Sequence, residues 1–117
     1  AEHAEEVFDM EGESPYMTVT YPVREAWQKR LPAITHVNNT ARVQTVSKTS
    51  NEKFHRLITR FHELTGRPAV LNTSFNIKGE PIVETPLNAI ATFSATGLDA
   101  LILGPFLLQK RKATQPG

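Results

Sequence analysis

The sequence predicts an α/β domain: a mixed, mainly parallel, open twisted sheet with flanking helices. Three observations carry that prediction. Short runs of strand character alternate with segments of helical period, at 41–46, 51–65, 69–72, 86–96 and 99–103. Such alternation is the pattern of βαβ units. The two longer helices carry their own start and stop residues. Finally, the apolar run Ala69-Val70-Leu71 stops at a cluster of small polar side chains, Asn72, Thr73, Ser74 and Asn76. In open α/β sheets, ligands bind in the crevice at the carboxyl ends of strands.

Bulk composition narrows the classes. At 117 residues the chain has the length of one domain, and 39% hydrophobic with 21% charged residues is ordinary for a globular protein. A net charge of +1 argues against a strong field for nucleic acid or membrane. The chain has no cysteine, so disulfides, thiolate metal sites and thiol nucleophiles are excluded. Absent cysteine, signal peptide and membrane-length apolar run together fit a cytoplasmic protein. The chain opens without Met on Ala1-Glu2-His3-Ala4, already helical in character, and is expected to be an excised piece of a longer polypeptide.

Residues 1–9 read as the end of an amphipathic helix, broken by Gly12-Glu13-Ser14-Pro15. Aromatic and β-branched residues predict a strand over 16–21. Residues 25–31 suit two helical turns ended by Pro32. After a polar turn at Asn38-Asn39-Thr40, the segment 41–46 alternates, with Ala41, Val43 and Thr45 on one side and Arg42, Gln44 and Val46 on the other.

The helix over 51–65 is the clearest. Asn51 is a good N-cap, Glu52 favours the first turn, and Gly66 suits a left-handed end. Phe54, Leu57, Ile58, Phe61 and Leu64 fall on one stripe, expected to face the core. Thr85-Pro86 caps and opens the next helix, which runs to Gly97. Residues 99–103 form a short apolar strand interrupted by Gly104-Pro105, and 106–109 is either an edge strand or the start of a linker. Residues 1–109 are expected to be the domain and 110–117 a basic disordered tail.

Arg42 is the first candidate for chemistry, because an Arg inside a short strand either faces solvent or points into a polar site. Its fork can hold a phosphate or carboxylate through two hydrogen bonds. Asn72 and Ser74 can bond a polar ligand, and Lys78 can meet negative charge in the same loop. His36, just before the strand, suits a turn. His55 and His62 lie seven apart on one helix flank, but Gly66 stands where a zinc-protease motif needs its second His. No metal site is expected. Lys78-Gly79 lacks the glycine spacing of a Walker loop. Catalytic groups are not identifiable from these residues.

Four blocks taken together resemble the C-terminal domain of the O-carbamoyltransferases, the family of nodulation protein U and of carbamoyltransferases in antibiotic biosynthesis. They are Ser14-Pro15-Tyr16-Met17; Thr35-His36-Val37 through Thr40-Ala41-Arg42-Val43-Gln44-Thr45-Val46; Leu71-Asn72-Thr73-Ser74-Phe75-Asn76 with Gly79-Glu80-Pro81-Ile82-Val83; and Thr96-Gly97-Leu98-Asp99-Ala100-Leu101. The resemblance implies a YrdC-like fold, here in truncated form, and a two-domain enzyme. Its substrates would be ATP and carbamoyl phosphate, its intermediate a carbamoyl-adenylate, and its acceptor a substrate hydroxyl. It implies iron only in the N-terminal domain, which lies outside this chain and would be its partner within the same polypeptide. Arg42 would bind the phosphate-bearing substrates, and Asn72 and Ser74 the nucleotide or carbamoyl moiety, with His36 and Lys78 as weaker candidates. Family members carry a Lys- and Arg-containing segment upstream of the position of Ala1, so the isolated fragment is expected to have little or no turnover. The competing reading is a non-catalytic α/β module that binds a nucleotide or docks a partner domain.

Overall fold

Val7, Phe8, Met10, Val23, Trp27, Leu31, Ala41 and Val43 come from three separate stretches of chain and gather into one buried cluster. The computed structural model describes residues 1–111. It divides into two compact units, Ala1–Asn72 and Thr73–Gly117. Most of the tail expected over 110–117 lies outside the described residues.

In the first unit, α1 (Ala4–Val7) presents Val7 to the core, and the bridge from Phe8 to Val23 brings the next segment alongside. β1 (Thr20–Pro22) pairs antiparallel with β2 (Thr40–Arg42), with Tyr21 opposite Ala41. Between them, α2 (Glu25–Gln28) buries Trp27, whose ring carries the Arg30 guanidinium 4.1 Å from its centroid.

Beyond β2 the chain leaves the ladder but stays pinned. The Thr45 N–H donates to the Ser14 carbonyl at 2.8 Å, and the buried Ser14 hydroxyl donates to the Val43 carbonyl at 3.1 Å. The alternation is therefore kept: Ala41, Val43 and Thr45 are buried while Arg42 and Gln44 are exposed. Val46 departs from it and is buried too.

α3 (Glu52–Thr65) has the expected ends. The Asn51 side chain accepts the Phe54 N–H at 3.1 Å, and Gly66 is left-handed at φ 67°. Its orientation differs from expectation. Leu57, Phe61 and Leu64 are 50%, 36% and 70% exposed, so they are not core. The half-buried flank is Phe54, His55, Ile58 and His62. Both ends of the helix are tied so that this flank turns inward. His55 donates from Nε2 to the Glu2 carboxylate at 3.0 Å, while Arg30 donates to the Gly66 carbonyl and Arg67 to the Arg30 carbonyl, each at 2.9 Å.

In the second unit, residues 75–83 fold back on themselves: the Val83 N–H donates to the Phe75 carbonyl, and Asn76 donates to the Glu80 carbonyl. The tight turn between them places Gly79 at φ 90°, a backbone region side chains avoid. α4 (Pro86–Ala95) starts where expected, with the Thr85 hydroxyl accepting from the Asn88 N–H, and buries Ala89, Thr92 and Phe93. β3 (Ala100–Leu103) and β4 (Phe106–Gln109) form an antiparallel hairpin. Gly104 at φ 59° followed by Pro105 has the sign pattern of a type II′ turn. Residues 106–109 are thus a strand. The Lys110 ammonium donates to the Thr96 carbonyl, so the first residue of the expected tail is tied down.

The α/β class stands, built among the described residues from four helices and two small antiparallel sheets. No parallel ladder occurs among the described residues. The strand expected over 16–21 forms only from Thr20, because Met17 turns left-handed at φ 55°. The strand expected over 41–46 ends at Arg42, where Ser14 replaces a strand as partner. The expected strand at 69–72 makes no ladder, although Ala69 and Val70 are half-buried.

Candidate functional site

A cavity of about 540 Å³ lies within the first unit. Val43, Val46, Phe54, Ile58, Val70 and Leu71 give it apolar walls. Polar groups also line it: Arg42, Gln44 and Asn72, and His36 from the turn before β2, with the Met17 thioether beside them. The alternation of the 41–46 segment puts Arg42 and Gln44 on the same side, about 6–7 Å apart along the chain. Asn72 then joins them, because its Nδ2 donates to the Gln44 Oε1 at 2.8 Å. Arg42 forms no ion pair among the described residues, which leaves its five donors open to a ligand.

His36 has a defined tautomer in its neutral form. The Thr40 N–H and hydroxyl both donate to the Asn38 Oδ1, so the hydroxyl proton is spent. The Thr40 oxygen must therefore accept from His36 Nδ1, 3.1 Å away. His36 Nε2 is left as an acceptor on the cavity lining.

All four histidines of the chain line this cavity. His3 and His62 meet edge to face at 4.5 Å. His55 is held by Glu2, whose carboxyl is lowered to about 2 by its own backbone N–H and by the His55 hydrogen bond. The sign follows from linkage. A depressed carboxyl stabilises the fold above its unfolded value and loses that contribution as pH falls through the range from about 4.5 to about 2. With the Glu2 side chain 62% exposed, solvent screening limits the effect to about 0.2–1 kcal/mol. Glu2→Gln should flatten the acid limb of the urea-stability profile over that range and leave stability unchanged at pH 2. A profile identical to wild type would refute the pair's contribution.

Three of the five sequence candidates, Arg42, Asn72 and His36, line the one cavity. Ser74 and Lys78 belong to the second unit, both exposed and without a hydrogen-bond partner among the described residues. Gln44, Met17 and the inward histidine flank of α3 were not anticipated as lining groups. Gln44 was legible in principle, standing two residues from Arg42 on the same strand face. Among the described residues no group of three or more His, Asp or Glu is placed to hold a metal ion.

Comparison with known proteins gives the lineage. The family model described as carbamoyltransferase C-terminus matches residues 1–110. Nodulation protein NolNO of Sinorhizobium fredii is 45% identical over 97% of this chain, and nodulation protein NolO of Bradyrhizobium diazoefficiens is 46% identical over 97%. Nodulation protein U of Azorhizobium caulinodans is 38% identical over 67% of the chain. The matched regions make up 17%, 21% and 14% of those proteins respectively, so the chain spans about a fifth of their length or less.

Proposed function

Because the chain belongs to the carbamoyltransferase C-terminus family, we propose that it is the adenylate-forming part of an O-carbamoyltransferase. In this reading the carbamoyl group of carbamoyl phosphate ends on the α-phosphate of ATP. One water is consumed, inorganic phosphate leaves from carbamoyl phosphate, and pyrophosphate leaves from ATP. The carbamoyl group then passes to a hydroxyl of an acceptor selected by the N-terminal domain of the same polypeptide. Iron belongs to that domain and is assigned no residue here. A reaction that draws on ATP supports a cytoplasmic location.

The observation that carries the reading is the Arg42 guanidinium, without an ion-pair partner among the described residues, on a cavity it shares with Asn72. A guanidinium fork matches two phosphate oxygens and neutralises their charge. Asn72 supplies directional hydrogen bonds that hold the carbamoyl or nucleotide group for reaction, and Ser74 is assigned to the same task by the family resemblance alone. Lys78 adds charge, and His36 Nε2 adds an acceptor. In the same reading, residues 69–72 join a mainly parallel YrdC-like sheet completed by polypeptide outside this chain. The half-buried Ala69 and Val70 and the exposed apolar Leu71, in a segment that joins no ladder among the described residues, support that role.

The test is pyrophosphate release by the full-length protein given ATP and carbamoyl phosphate. Ser74→Ala should lower the rate by about tenfold, the worth of one hydrogen bond to a charged group. Unchanged rates in both Ser74→Ala and Arg42→Ala would remove the site assignment. A second reading, a non-catalytic nucleotide-binding or domain-docking module, draws on the exposed apolar ridge Leu57, Phe61 and Leu64 of α3. It predicts nucleotide binding or domain association without pyrophosphate release.

A further inference from the structure

The Asn72 carboxamide sits in a hydrogen-bond chain with only one possible polarity. The Pro15 carbonyl can only accept, so the Gln44 group 3.1 Å from it must be the Nε2 donor. That turns the Gln44 Oε1 toward Asn72, where it can only accept. Asn72 must therefore offer Nδ2, which it does at 2.8 Å. The same Nδ2 lies 3.5 Å from the Met17 sulfur, a weak acceptor for its other hydrogen. Met17 reaches there from a left-handed backbone, φ 55°. Both donors of the Asn72 amide are engaged, and its Oδ1 has no protein partner among the described residues.

We propose that Gln44 is a positioning residue that fixes the Asn72 carboxamide with its oxygen free, so that the site selects a ligand offering an N–H donor beside an anionic group. The inference rests on the proposed function, in which the donor is the amide of carbamoyl phosphate and the anionic group is its phosphate on Arg42. Acyl phosphates without that amide, such as acetyl phosphate, present a methyl group to the same oxygen and leave it unsatisfied. Without Gln44 the Asn72 amide is free to rotate by half a turn, and the discrimination falls.

The test uses the full-length protein and pyrophosphate release, with acetyl phosphate as a competitor of carbamoyl phosphate. Gln44→Met and Gln44→Leu keep bulk at an exposed position and remove both hydrogen bonds. Each should raise the KM for carbamoyl phosphate roughly tenfold, equivalent to about 1.4 kcal/mol. The KM for ATP should move less than about twofold, and the acetyl phosphate inhibition constant should stay near wild type, narrowing the ratio between the two ligands. Added to Asn72→Ala, Gln44→Met should cost nothing more, since it acts through Asn72. The inference is overturned if both Gln44 variants keep the wild-type ratio while Asn72→Ala loses it, or if the ATP and carbamoyl phosphate constants rise together. If Asn72→Ala and Arg42→Ala both leave pyrophosphate release untouched, the functional reading itself falls and takes this inference with it.

Discussion

Replacing Arg42 by alanine in the full-length protein should slow pyrophosphate release by about 10²–10³-fold, the scale of removing one preorganised donor from a charge-developing site. Ala41 and Val43 are buried, which forces Arg42 outward between them, and it lines the cavity without an acidic partner among the described residues. An unpaired cation in a largely apolar cavity keeps its attraction for phosphate undivided. Arg42→Lys retains the charge but not the planar fork, and should fall between wild type and alanine. The fold should survive, because Arg42 contributes backbone pairing opposite Thr20 and its side chain is exposed. Thermal unfolding of both variants should stay within about 0.5 kcal/mol of wild type. A rate within twofold of wild type in Arg42→Ala would show that phosphate is bound elsewhere.

The largest stability effect should come from Trp27, at about 3–5 kcal/mol for Trp27→Ala. Trp27 is 6% exposed, packs with Val7, Val23 and Leu31, and carries Arg30 over its ring. Its loss opens a cavity and frees the guanidinium that ties the end of α3 through Gly66. Native stability is of order 0.05–0.15 kcal/mol per residue, so a loss of about 3–5 kcal/mol removes a large share of it and moves the urea midpoint well below that of wild type. Leu64→Ala, at a site 70% exposed, should cost less than about 0.5 kcal/mol. Urea midpoints decide between them. Equal midpoints for the two variants would contradict the orientation of α3.

That orientation marks a boundary of what can be read from residue order. The spacing of Phe54, Leu57, Ile58, Phe61 and Leu64 identifies a helix, and Asn51 and Gly66 mark its ends within a residue. The same stripe is wide enough to hold two faces. Only the ties from Glu2, Arg30 and Arg67 select the one with Phe54 and Ile58 inward, and those ties span 36 to 53 residues of sequence. The hairpin at Gly104-Pro105 was half legible. Its turn residues interrupt two apolar runs, yet pairing of 100–103 with 106–109 needed the backbone to show it.

The candidate site divides the same way. Strand alternation alone puts Arg42 outward, and the break after Leu71 places small polar side chains at the end of an apolar run. Residue order by itself thus determined the limits of α3 and α4, the turn at 38–40, the outward Arg42 and membership of the family, because each depends on local sterics or on motifs present in the chain. Tertiary structure alone decided that Asn72 meets Gln44, that four histidines face one cavity, and that Ser14 takes the place of a strand beside Val43. Those outcomes depend on contacts between residues far apart in the chain, whose geometry no local preference encodes.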